Sequence, residues 1–156
     1  MAQAKKKPKL AKLSPLLRSA FEVLDHGLYH YFRSNTAKDM KFALMHVDQS
    51  IELMLKERIR AGGRSLSKDK NSKETITIYG AYQILEELKI SIPERPDLEL
   101  LHEERNAIQH KYSNPNPDDT SFHIQKAFSF IRRFVKEELK LDIKDHVPSE
   151  YLDQLP

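Results

Sequence analysis

Arg105, Asn106 and His110 set a permanent cation, an amide and an imidazole on one short stretch of the chain. A guanidinium can hold two oxygens of a phosphate and offset charge that grows on them in a transition state. An imidazole titrates near neutrality, so it can take a proton from a ribose hydroxyl and return one to a leaving oxygen. An amide can orient either group. Together these are the parts of a phosphodiester cleavage that uses no metal, and they mark Arg105, Asn106 and His110 as candidate catalytic residues. His102, two turns before His110, and Lys111 extend the group that could bind RNA or phosphate to Arg105, Asn106, His102 and Lys111. His102 itself reads as a border residue rather than a proton carrier. One imidazole per chain is thin for acid–base work. A two-fold homodimer pairing this face with its copy would bring two histidines and two arginines to one cleft.

The spacing around these residues predicts an amphipathic helix over 97–112. Its apolar stripe is Leu98, Leu101, Ile108 and Tyr112. Arg105 occupies the place that should complete the stripe, within about 60° of all four neighbours at about 100° per residue. A charge on an inward-looking stripe is costly unless an anion meets it there. That anion is either a phosphate or a carboxylate, from Glu52 or from the last helix. For His110 the competing reading is a helix-end histidine bonded to a terminal carbonyl. For Tyr112 it is core packing.

Four further periodic segments position this helix. Ser14-Pro15 pairs a hydroxyl N-cap with proline at the first helical position and starts a helix to about 33. Its stripe is Leu17, Ala20, Phe21, Leu24, Leu28, Tyr31 and Phe32. Ser34-Asn35-Thr36 then breaks the chain and caps a second helix over about 37–61, with Leu44, Val47, Ile51, Met54, Leu55 and Ile59 inward. Gly62-Gly63 ends it with the residue type that tolerates a left-handed cap. A basic loop over 64–73 leads to a shorter helix over about 76–88, although Thr75 to Ile78 favour strand locally. After the Asn114-Pro-Asn-Pro turn, a last helix over about 120–139 carries Phe122, Ala127, Ile131, Phe134 and Val135 inward. The expected fold is all-α, an antiparallel up-and-down bundle of about five helices. The expected organisation is a disordered basic arm over 1–13, the bundle over 14–141 and a C-terminal extension over 142–156.

The 156 residues fit one domain with a modest core. With no cysteine there is no disulfide framework and no thiolate chemistry, and a reducing cytoplasm is the simplest expected location. No apolar run approaches the roughly 18 residues of a membrane span, so no membrane association is expected. A net charge of +3 permits a polyanionic partner without requiring one.

Arg105-Asn106-x-x-x-His110 resembles the signature of the HEPN superfamily, small all-α ribonuclease and nucleotide-binding domains. Residues 43–59, with Ile51-Glu52-x-x-x-Lys56, resemble that family's second helix, and the similarity covers roughly 16–139. The resemblance implies a homodimer with both signatures facing across the interface. It implies cleavage of RNA to a 2′,3′-cyclic phosphate or 3′-phosphate end and a 5′-hydroxyl, without cofactor or metal. Arg105 would bind the scissile phosphate, His110 would transfer protons and Asn106 would orient them. Such a protein would be a toxin or defence effector. His110-Lys111-Tyr112 resembles an extended form of the motif, in which a nucleotidyltransferase antitoxin modifies the tyrosine; Tyr112 inherits that role.

Two other readings stand beside this one. The same fold could be a non-catalytic module that binds a nucleotide or a protein partner such as a nucleotidyltransferase, or a structural dimer with Arg105 in an ion pair. Glu22, His26 and His30 lie four apart, a spacing at which histidines hold metals on helices, but no further ligand is evident and a solvated face is expected. The lysines of the arm (5, 6, 7, 9 and 12) and the loop cations Arg64, Lys68, Lys70 and Lys73 lack interleaved aromatics. They read as solvated runs able to add salt-sensitive attraction for RNA.

Overall fold

Pro15 opens α1 (Pro15–Arg33) behind the hydroxyl of Ser14, which accepts the Leu17 N–H at 3.1 Å. In the computed structural model, which describes residues 12–33, 36–71 and 73–156, that same hydroxyl donates to Glu57 at 2.9 Å. The cap of α1 is thereby tied to α2 (Ala37–Ala61). Thr36 caps α2 by accepting the Asp39 N–H at 3.1 Å. Gly62 and Gly63 end it, but the left-handed turn falls on Gly63 (φ 79°), while Gly62 is ordinary at φ −81°. Two long helices joined by so short a link and packed along their length must run antiparallel. Gly27 permits their close approach: a Cβ there would stand 3.1 Å from side-chain atoms of His46 and Val47.

α2 is the hub. It packs against α1, α3 (Ile78–Glu87), α4 (Arg95–Lys111) and α5 (Pro117–Glu137). Its apolar face, from Leu44 to Ile59, is buried as the pattern predicts. α5 brings Ile124, Phe128, Phe130, Ile131 and Phe134 onto it. Each such side chain contributes roughly 1.5–3 kcal/mol of burial. Outside the helices the described residues form turns, irregular links and one isolated bridge, Ser67 with Thr75.

Three elements differ from expectation. α3 begins at Ile78 because Ile76 is used in an extended segment, its N–H bonded to the Leu66 carbonyl at 2.9 Å. The local strand preference won at Thr75 and Ile76, while Thr77 caps the helix and Ile78 enters it. α5 begins nearly a turn early, at Pro117, because Asn116 caps it by accepting the Asp119 N–H at 2.7 Å. Phe122 is not inward but 46% exposed, and Ile124, Phe128 and Phe130 fill the core instead. Beyond α5, a 3₁₀ turn (Ile143–Asp145) and the one-turn α6 (Ser149–Leu152) bury Ile143, Val147, Leu152 and Leu155 in the same core. Arg132 fastens this tail by donating to the carbonyls of Leu152 and Leu155. The 142–156 extension is thus packed into the bundle. The basic arm lies outside the described residues except for Lys12 and Leu13, and Leu13 packs partly on the core. Among the described residues no helix is long and apolar enough to cross a membrane.

Candidate functional site

α4 starts with Pro96 in its first turn and ends where Tyr112 adopts a left-handed conformation, φ 55°. Leu98, Leu101 and Ile108 are buried, as the stripe predicts. Tyr112 leaves the stripe: the left-handed turn swings it out, and it is 87% exposed. Core packing of that ring is excluded.

Arg105 sits half-buried among the apolar residues, with 30% of its side chain exposed. The anion that meets it is Asp48 of α2, itself 2% exposed. Arg105 Nε stands 3.9 Å from Asp48 Oδ2, and Arg105 Nη1 donates to Asn106 Oδ1 at 3.1 Å. Glu52, the partner considered from sequence, pairs with Lys56 instead, at 3.1 Å. No carboxylate of α5 reaches Arg105 among the described residues. Sequence reasoning overlooked Asp48, although the argument that singled out Arg105 applies to it equally. Asp48 interrupts the α2 stripe between Leu44 and Ile51, a charge where an apolar residue belongs.

His102 shares that carboxylate, with Nδ1 3.0 Å from Asp48 Oδ2. This hydrogen bond raises the His102 pKa above the ordinary 6.5, against the opposing effect of burial. Asp48 fixes the ring through Nδ1, while Nε2 has no hydrogen-bond partner among the described residues, on a side chain 12% exposed. The edge of the pair is formed by Tyr79, whose ring lies T-shaped to His102 with centroids 5.6 Å apart. Behind it, Tyr82 is 3% exposed with its hydroxyl buried and unpartnered. Burial, then the charge of Asp48, raises the pKa of that phenol, keeping it protonated.

His110 belongs to a different surface. It is exposed, makes no hydrogen bond among the described residues, and lines an open cleft of about 460 Å³ with Glu103, Asn106, Ala107 and Lys111. The helix-end carbonyl contact considered for it is not made. Asn106 joins the two surfaces, bonded to Arg105 on one side and lining the cleft on the other. His102 and His110 are separated by about 12 Å along the helix axis, so one chain does not bring them to one phosphate.

The helix-face histidines also group differently from expectation. His30 Nδ1 is 2.8 Å from Asp39, and His30 Nε2 is 3.2 Å from His26 Nε2. His46 of α2 joins them, its ring 4.6 Å from that of His26. Among the described residues no group of three or more His, Cys, Asp or Glu is arranged to hold a metal ion. In the basic loop, Arg64 pairs with Glu87 and Lys68 with Glu74, which offsets part of the loop's charge.

Comparison with protein-family models, with curated proteins and with solved structures finds no match to this chain.

Proposed function

We propose that the chain is a metal-independent endoribonuclease of the HEPN type, an up-and-down helical bundle acting as a homodimer. The observation that carries this reading is the Arg105–Asn106–His110 arrangement. Arg105 is oriented by Asp48 and Asn106, and Asn106 and His110 line one open cleft near the end of α4. In the reaction, His110 takes the proton of a ribose 2′-hydroxyl as O2′ bonds to phosphorus. The bond from phosphorus to O5′ breaks, and the second copy of His110 supplies the proton to the leaving oxygen. Arg105 holds the phosphate oxygens, and the products carry a 2′,3′-cyclic phosphate and a 5′-hydroxyl. Lys111 adds positive charge along the cleft, and the protein acts as a toxin or defence effector in the cytoplasm.

The test is incubation of RNA with purified protein in EDTA, with end-group analysis of the fragments. Arg105→Ala and His110→Ala are expected to lower cleavage by at least about a hundredfold. If wild type and both variants leave RNA equally intact, the enzyme reading fails. A second reading is favoured by two observations: among the described residues no hydrogen bond orients His110, and the Tyr112 ring projects into solvent. On that reading the chain is a non-catalytic nucleotide-binding or interaction module, partnered with a nucleotidyltransferase that acts on Tyr112. It predicts that nucleotide raises the melting temperature while RNA survives.

A further inference from the structure

The Asp48 side of α4 carries a feature that cleavage at His110 leaves unused. Tyr79 and Tyr82 stand three residues apart on α3, yet one enters the core at 3% exposure and the other stays 46% exposed. The Tyr79 ring is held by a T-shaped contact to His102 and its hydroxyl has no hydrogen bond among the described residues. An aromatic ring fixed in place with much of its surface in water suits stacking.

The charges beside it are unbalanced in the same sense. Arg105 Nε and His102 Nδ1 approach one carboxylate oxygen, at 3.9 and 3.0 Å. Glu52 and Lys56 pair with each other and cancel. Whenever His102 holds a proton, two cations face the single buried charge of Asp48 and the group draws an anion. Donors for that anion remain: among the described residues neither His102 Nε2 nor Arg105 Nη2 has a hydrogen-bond partner.

We propose that Tyr79 and His102 form, beside Arg105, a subsite for one nucleotide unit of single-stranded RNA, with the base stacked on Tyr79 and its phosphate held by His102 Nε2, next to the phosphate on Arg105. This rests on the RNA reading, in which Arg105 lies between the subsite and the cleft where the strand is cut. The Tyr79 face then favours an unpaired base, because a base inside a duplex cannot reach it.

The probes are a 2′-O-methyl tetra-adenylate, which cannot be cleaved, together with AMP and inorganic phosphate. Binding is followed by NMR of the His102 and Tyr79 ring signals. The tetranucleotide is expected to bind more tightly than AMP, and AMP more tightly than phosphate. Tyr79→Ala is expected to weaken the tetranucleotide about tenfold while leaving phosphate unchanged, and Tyr79→Phe to restore binding. Equal tetranucleotide binding by wild type and Tyr79→Ala overturns the subsite, as do ring shifts confined to other residues. AMP binding more tightly than the tetranucleotide assigns the pocket to a free nucleotide and overturns its place in an RNA strand. The two proposals fail separately. RNA cut with the same KM by wild type and Tyr79→Ala removes the subsite and spares the nuclease. Tyr79-dependent binding without any cleavage does the reverse.

Discussion

His46 and Asp48 are two residues apart on α2 and so project from nearly opposite faces of it, toward two histidine groups held in contrary ways. On the α1 side, His46 meets His26 and His30 with little to compensate it. Burial, then the charges of its two neighbours, lowers its pKa. The carboxylate that His30 meets, Asp39, also serves the α2 cap, and the His30 and Thr36 hydrogen bonds hold its own pKa below the usual value. On the α4 side a buried carboxylate faces one histidine and one arginine, and the His102 pKa moves up. Three clustered imidazoles pack on one another, whereas His102 is buttressed by a buried anion through one ring nitrogen alone. Number of histidines is the poorer guide, and the partner behind each ring is the better one.

That contrast can be broken most forcefully at Asp48. Asp48→Ala leaves Arg105 and His102 without their shared anion and is expected to cost about 2–3 kcal/mol in urea unfolding. A loss under about 0.5 kcal/mol would mean that the carboxylate does not organise the pair. Next comes the opposite face. Gly27→Ala ordinarily favours a helix, but here the added methyl meets His46, Val47 and the Ala43 carbonyl within 3.3 Å. An overpacking cost of about 1–3 kcal/mol is expected, and a stabilised variant would show that the two helices can separate freely. A smaller effect should appear in imidazole NMR titrations: His102 titrates above 6.5 and His46 below it, and Asp48→Asn removes the upward shift of His102. Movement of both histidines in the same direction would erase the distinction.

The smallest expected effects are in stability against pH, under about 1 kcal/mol for each residue after solvent screening. His102, raised in the folded state, contributes stability that is full below pH 6.5 and is lost as pH rises through its folded pKa. His46, lowered in the folded state, resists a proton that the unfolded chain accepts. Stability therefore falls as pH drops through 6.5 toward its folded pKa. His102→Gln should flatten the alkaline side of the profile and His46→Gln the acid side.

Much of the frame was legible because local signals agreed. Ser14-Pro15, Thr36 and Gly62-Gly63 bound the two long helices within a residue of where the structure has them. Of the failures, Phe122 needed no tertiary knowledge: at about 100° per residue it lies about 180° around α5 from Ile131, on the side away from the buried stripe. The others lie where a local signal and a tertiary one diverged. Tyr112 fits the α4 stripe only if the helix continues, and the left-handed turn ends it. Of the site, Arg105 was visible as a charge among apolar residues, whereas Asp48 required the same test on a second helix and knowledge that the two stripes face each other. The separation of His102 from His110 was present in the helical geometry; Tyr79 beside His102 was not, since only packing places α3 there.

Tyr112 has one consequence beyond where α4 stops. An L-residue in the left-handed region gives up roughly 1–2 kcal/mol that glycine would not, and a side chain 87% in water recovers almost none of it by packing. Glycine would serve the turn better. The Tyr112 ring, 87% exposed, stands open to any molecule that approaches the tip of the helix.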